Sequence, residues 1–146
     1  MALRKDAKVE LLERIPLFAQ CSKGDLQRIA RIAEEIDFEA GDLLMREDER
    51  GHEVFVVVSG RLEVWRRREG GQIADLGPGE VVGEMALLSK KPRNATVRAA
   101  TPVHLLRIRD TDFLKLLDQV PELWLKIASA LADRVPDEGR QVFYHD

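Results

Sequence analysis

Cysteine is almost absent from this chain of 146 residues, and the single Cys21 removes two chemistries at once. An internal disulfide needs a second thiol, and a cysteine-built zinc site needs several. Cys21 therefore reads as a small loop or packing residue. Histidine is scarce too: His52, His104 and His145 stand far apart without metal-ligand spacing. No metal site is expected, and a cupin-like metalloenzyme lacks its ligand cluster. Neither a Ser-His-Asp nor a Cys-His arrangement is suggested, so no catalytic residue is assigned. Long apolar runs are also missing, well short of the roughly 20 residues of a membrane helix. The amino terminus, MALRKDAKVELLER, is charged throughout and unlike a secretory leader. The expectation is a soluble, cytoplasmic chain. A net charge of -3 gives no global attraction to nucleic acid or anionic lipid, so any anionic ligand must be met locally.

What is present divides the chain into three parts within one domain, 1–146. Helices are expected over 6–36. Ser22 with Asp25 forms a capping box, Leu26, Ile29, Ala30, Ala33 and Ile36 follow at helical spacing, and an earlier helix over 6–14 stops before Pro16. From 37 to 109 the pattern turns to short β-branched segments punctuated by Gly, Pro and Asp, the mark of an all-β sandwich or roll. Strands are expected at 43–46, 54–59, 62–66, 72–76, 95–99 and 103–108. Helices return over 110–135. Asp110 or Thr111 caps the first, Pro121 opens the second, and Trp124, Ile127, Ala128, Leu131 and Val135 share a face until Pro136 ends it. A tail, 136–146, carries Phe143 and Tyr144.

One stretch asks for more than packing: GEMALLSKKPRNATV, 83–97. Alone, Glu84 suits the first turn of a short helix and Arg93 suits a solvated loop. Together they fit a ligand carrying both a phosphate and a sugar hydroxyl. A guanidinium bonds two phosphate oxygens at once, small neighbours such as Asn94 and Ala95 allow backbone donors to approach, and a carboxylate accepts from a ribose hydroxyl. The glycines of LGPGEVVGE leave room beside the backbone. By contrast, Arg66, Arg67 and Arg68 before Glu69-Gly70-Gly71 read as a solvated hairpin end rather than a nucleic-acid patch.

GEMALLSKKPRNATV closely resembles the phosphate-binding cassette of cyclic nucleotide-binding domains, those of cAMP-dependent kinase regulatory subunits, cyclic nucleotide-gated channels and the catabolite activator family. FEAGD at 38–42, Gly51, FVVVSGRLEV at 55–64 and LGPGEVVGE at 76–84 extend the resemblance over about 15–135. It implies a mainly β fold, a double-stranded β-helix or jelly-roll-like β-roll, with N-terminal helices and C-terminal lid helices. Gly83, Glu84, Met85 and Ala86 match the segment that meets ribose and phosphate. Arg93 matches the phosphate arginine, with Asn94 and Ala95 as adjoining donors. Val64, Ala74 and Val82 match walls of the base pocket. Two departures stand out: Val82 replaces a frequent aromatic residue, and Pro136 interrupts the final helix, which leaves Phe143 or Tyr144 to cap the base. A hydroxyl after the arginine often accompanies cGMP and alanine accompanies cAMP. Asn94 is neither; cAMP is favoured, with cGMP and cyclic dinucleotides open. The implied function is a cyclic nucleotide sensor without a cofactor, moving its C-terminal helices against an unknown effector protein. The alternative is a ligand-free β-roll interaction module.

Overall fold

Strand-forming sequence fills the middle of the chain, and the architecture follows from which faces it buries. The computed structural model describes residues 2–133, so the expectations placed on Val135, Pro136, Phe143 and Tyr144 lie outside the described residues. Helices α1 (Lys5–Leu12) and α2 (Lys23–Ala30) flank a 3-10 turn at Pro16–Phe18. Strands follow as β1 (Glu34–Phe38), β2 (Leu43–Met45), β3 (Glu53–Ser59), β4 (Leu62–Arg66), β5 (Gly71–Leu76), β6 (Val81–Val82), β7 (Thr96–Ala99) and β8 (Val103–Arg109). Helices α3 (Asp110–Gln119) and α4 (Pro121–Asp133) complete the described chain. The strands form two four-stranded sheets, ordered β1-β8-β3-β6 and β2-β7-β4-β5, with antiparallel neighbours throughout. The fold is mainly β, a jelly-roll-like β-roll with flanking helices.

Two apolar cores share the first sheet as a wall. On β3, Phe55 and Val57 face the second sheet and pack with Leu62, Val64, Val97 and Leu105 inside the roll. Val54 and Val56 face the other way and join Leu12, Leu17, Phe18, Ile29, Phe113 and Ile127 in a helical core. A strand buried on both faces reads as an unbroken apolar run, which is why EVFVVVS shows so little alternation.

Several expectations change at the element boundaries. Ala33 and Ile36 continue the spacing of α2, yet Glu34–Phe38 is strand β1, paired from Glu34↔Arg107 to Phe38↔Val103. Pairing with β8 overrides the local period there. The capping box is present, Ser22 Oγ accepting from Asp25 N–H at 3.2 Å and Asp25 Oδ2 accepting from Ser22 N–H at 2.8 Å. At α3, Arg109 occupies the cap position without a side-chain bond, and Asp110 instead opens the helix as a first-turn acid. The expected face of α4 is rotated: Leu123, Ile127 and Ala130 enter the core, while Trp124 is 46% exposed. Leu123 is also spaced four residues before Ile127, and it is this stripe that meets the core.

Candidate functional site

The segment 83–95 lies where the two cores meet. Val82 belongs to the roll interior and Leu87 to the helical core, so the residues between them bridge both. Gly83 leaves β6 with φ of 87°, a left-handed conformation that a side chain disfavours. It also has no space for one. A Cβ there would fall 2.6 Å from Arg93 Nη1 and 2.7 Å from the Glu53 carbonyl oxygen. Gly51 meets the same arginine, where a Cβ would overlap Nε and Cζ. Two bare backbone surfaces thus form the slot in which the Arg93 side chain lies.

Arg93 is 4% exposed, and its Nη2 donates to the Glu53 carbonyl at 2.8 Å. Its main chain is clamped as firmly. Arg93 N–H donates to the Glu49 carbonyl at 2.7 Å, and the Arg93 carbonyl accepts from Asp48 N–H at 2.8 Å. Asp48 makes that bond at a φ of 73°, unusual for a residue with a side chain. Glu84 opens the 3-10 turn Glu84–Leu87 and is fully buried. Its Oε2 accepts from Leu17 N–H at 2.5 Å, which ties the turn to the amino-terminal Pro16–Phe18 turn. Because the guanidinium rests against Gly83, the residue preceding Glu84, the cation and the carboxylate occupy one neighbourhood.

The other expected residues gather around this pair. Met85 and Ala86 line a cavity of about 160 Å3 with Ser89, Lys91 and Pro92. Asn94 is half-buried and Ala95 buried beside the roll core. Val64 and Ala74 face each other across β4 and β5, and Val82 belongs to the same cluster. Phe143 and Tyr144 lie outside the described residues. A larger cavity of about 550 Å3 opens at the second sheet, lined by Trp65, Arg66, Thr96 and Arg98 among others, and none of the expected site residues among the described ones borders it.

Sequence reasoning missed two kinds of residue. Leu17, Asp48, Glu49 and Glu53 act through backbone groups, which side-chain chemistry does not signal. Arg66 is a correction. Read as solvated, it is 5% exposed, and its Nε donates to the Asn94 carbonyl at 3.0 Å. The signal was available: Arg66 continues the inward alternation of Leu62 and Val64.

Comparison with known proteins bears on the fold and the family. The family described as "Cyclic nucleotide-binding domain" matches residues 35–120. A cyclic nucleotide-gated potassium channel of Mesorhizobium japonicum is 38% identical over 114 residues, 78% of this chain and 31% of the channel. A cAMP-dependent protein kinase regulatory subunit of Mycosarcoma maydis is 34% identical over 102 residues, 68% of this chain and 19% of the subunit. Among solved structures, the N-terminal domain of a transcriptional regulator from Streptomyces coelicolor superposes with a TM-score of 0.75 at 31% identity, covering 84% of this chain and 87% of that one. The chain spans a third or less of those two curated relatives.

Proposed function

Because this chain belongs to the cyclic nucleotide-binding domain family, we propose that it is a cyclic nucleotide sensor whose 83–95 segment grips the ligand. The observation that carries this reading is the slot formed by Gly51 and Gly83 around Arg93, beside Glu84. Glycine at both positions is what lets the guanidinium lie against the backbone one residue before Glu84. Arg93 supplies a fork of donors for the two exocyclic oxygens of a cyclic phosphate. Glu84 accepts from the ribose 2′-hydroxyl. Val64, Ala74 and Val82 form an apolar wall for the base. We take cAMP as the ligand, with cGMP and cyclic dinucleotides as comparators.

The connection to the helices suggests how binding is transmitted. Glu84 is bonded to Leu17, and Leu87 packs in the core that holds Phe113, Leu123 and Ile127. A ligand that draws the Glu84 carboxylate toward a ribose therefore acts on the amino-terminal turn and on α3 and α4 together. It shifts their arrangement only by its differential affinity for the two states. An effector reads that shift, and no chemical step is assigned to the chain. After prolonged incubation, cAMP is expected to be recovered intact.

One observation favours a second reading, a ligand-free interaction module: backbone groups already bond both Arg93 and Glu84. Calorimetric titration with cAMP, cGMP and cyclic dinucleotides separates the two. The sensor reading expects saturable binding that Arg93→Ala reduces at least tenfold, since a charged hydrogen-bonding pair contributes about 1.5–3 kcal/mol. Absence of heat with the whole panel would leave the interaction module standing.

A further inference from the structure

The charged triplet 66–68 is not uniform. Arg68 is exposed and the Arg67 side chain is 73% exposed, whereas Arg66 is buried on the inner face of β4. Placing a guanidinium there is costly unless its hydrogen bonds are made. They are made to a telling partner. Arg66 Nε donates to the Asn94 carbonyl at 3.0 Å, and Nη1 reaches Glu69 Oε1 at 3.3 Å. Asn94 directly follows Arg93 and precedes Ala95. In a trans peptide the carbonyl and the next N–H point in opposite directions. A guanidinium that holds the Asn94 carbonyl therefore aims the Ala95 N–H away from itself.

We propose that Arg66 is a positioning residue that fixes the 94–95 peptide so that the Ala95 N–H meets one particular exocyclic oxygen of a cyclic phosphate gripped by Arg93. This rests on the cyclic nucleotide reading above. The rest of the turn is held by other means. Asp48 and Glu49 bond the Arg93 main chain, and Arg67 braces that loop through its N–H to Glu47 Oε1 at 3.0 Å and its guanidinium to the Asp48 carboxylate. The division of labour makes the prediction specific. Loss of Arg66 disturbs one donor and so one phosphate oxygen, without removing the Arg93 fork.

The test compares wild type, Arg66→Met, Arg66→Lys and the exposed control Arg68→Ala by calorimetry. Each is titrated with cAMP and with the two diastereomers of its phosphorothioate, in which sulfur replaces one or the other exocyclic oxygen; if the wild type selects cGMP, the corresponding cGMP compounds are used. Sulfur accepts hydrogen bonds poorly, so the wild type should distinguish the diastereomers. Arg66→Met should bind the parent nucleotide about tenfold more weakly, the loss of the Ala95 N–H bond to a charged phosphate oxygen. Its diastereomer ratio should fall toward one. Arg66→Lys, which restores a donor, should regain most of that ratio, and Arg68→Ala should match the wild type. Should Arg66→Met not fold, Arg66→Gln takes its place with the same expected fall. A ratio unchanged from wild type in the folded variant overturns the inference alone, whatever happens to affinity or melting temperature. A wild type that binds no cyclic nucleotide overturns the functional reading, and this inference with it.

Discussion

His104 is held between two carboxylates, Nδ1 facing Asp37 Oδ1 at 2.6 Å and Nε2 facing Glu35 Oε1 at 2.7 Å. The Asp37 bond, followed by the Glu35 bond, lifts the imidazole pKa above its ordinary value despite burial. For Glu35 burial pulls upward, yet the Leu3 N–H and His104 hold its pKa below the usual carboxyl range. The two shifts act in different pH windows. The His104 contribution is whole below the ordinary imidazole value of about 6.5 and is lost as pH rises through the raised folded value. That of Glu35 is whole above about 4.3 and is lost as pH falls through its depressed value. Urea midpoints should therefore separate wild type from His104→Gln more at pH 6 than at pH 9; equal separation at both would show that the charged form contributes nothing. Legibility at this scale depended on whether a residue's role lies in its side-chain type. Glu84 and Arg93 carry such a signature for the proposed role. Arg66 was hidden by its charged neighbours although its alternation with Val64 marked it as inward. Cys21, read as a small loop or packing residue, lies in a loop half-buried against the helical core, where burial, and then Asp25, push its thiol up to about 11.

Among the elements, α2 and α4 are joined across the chain. Asp25 closes the capping box of α2 and also pairs with Lys126 on α4, while Gln20 donates to Asp133 at 3.2 Å. Burial raises the Asp25 pKa, but Lys126 and Ser22 outweigh it and leave the carboxyl below its ordinary value. Ser22→Ala removes the acceptor for the Asp25 N–H and should cost about 1 kcal/mol. Equilibrium urea unfolding would register this as a lower midpoint at unchanged slope; an unaltered midpoint would mean that the cap is redundant with the Lys126 pair. This cap was legible because its two partners lie three residues apart. β1 was not, because Ala33 and Ile36 obey the helical period and only the distant β8 shows otherwise. β6 is too short at Val81–Val82 for any alternation to appear. The face of α4 was misplaced because Trp124 and Leu123 both suit a helical stripe, and the helix's docking decides between them.

Across the whole molecule, the 83–95 segment places residues in both cores, Leu87 among the helices and Ala95 inside the roll. Saturating cAMP should therefore change amide exchange both in the segment and in residues 16–18 and 110–133. Protection confined to the segment would restrict the ligand's influence to its own site. The shared sheet has one more consequence. With apolar side chains on both sides of β3, burial does not tell the strand which face is which, and sliding by one residue would still present valine and phenylalanine to both cores. Alignment must come from the ends. Gly60 turns so close to the Pro102 carbonyl and Val103 that a side chain there would overlap them, and the pairing shifts at Val57 and Ser59 just before it. That corner acts as the index mark from which β3 is counted, and Gly60→Ala would threaten the strand's alignment rather than merely its stability.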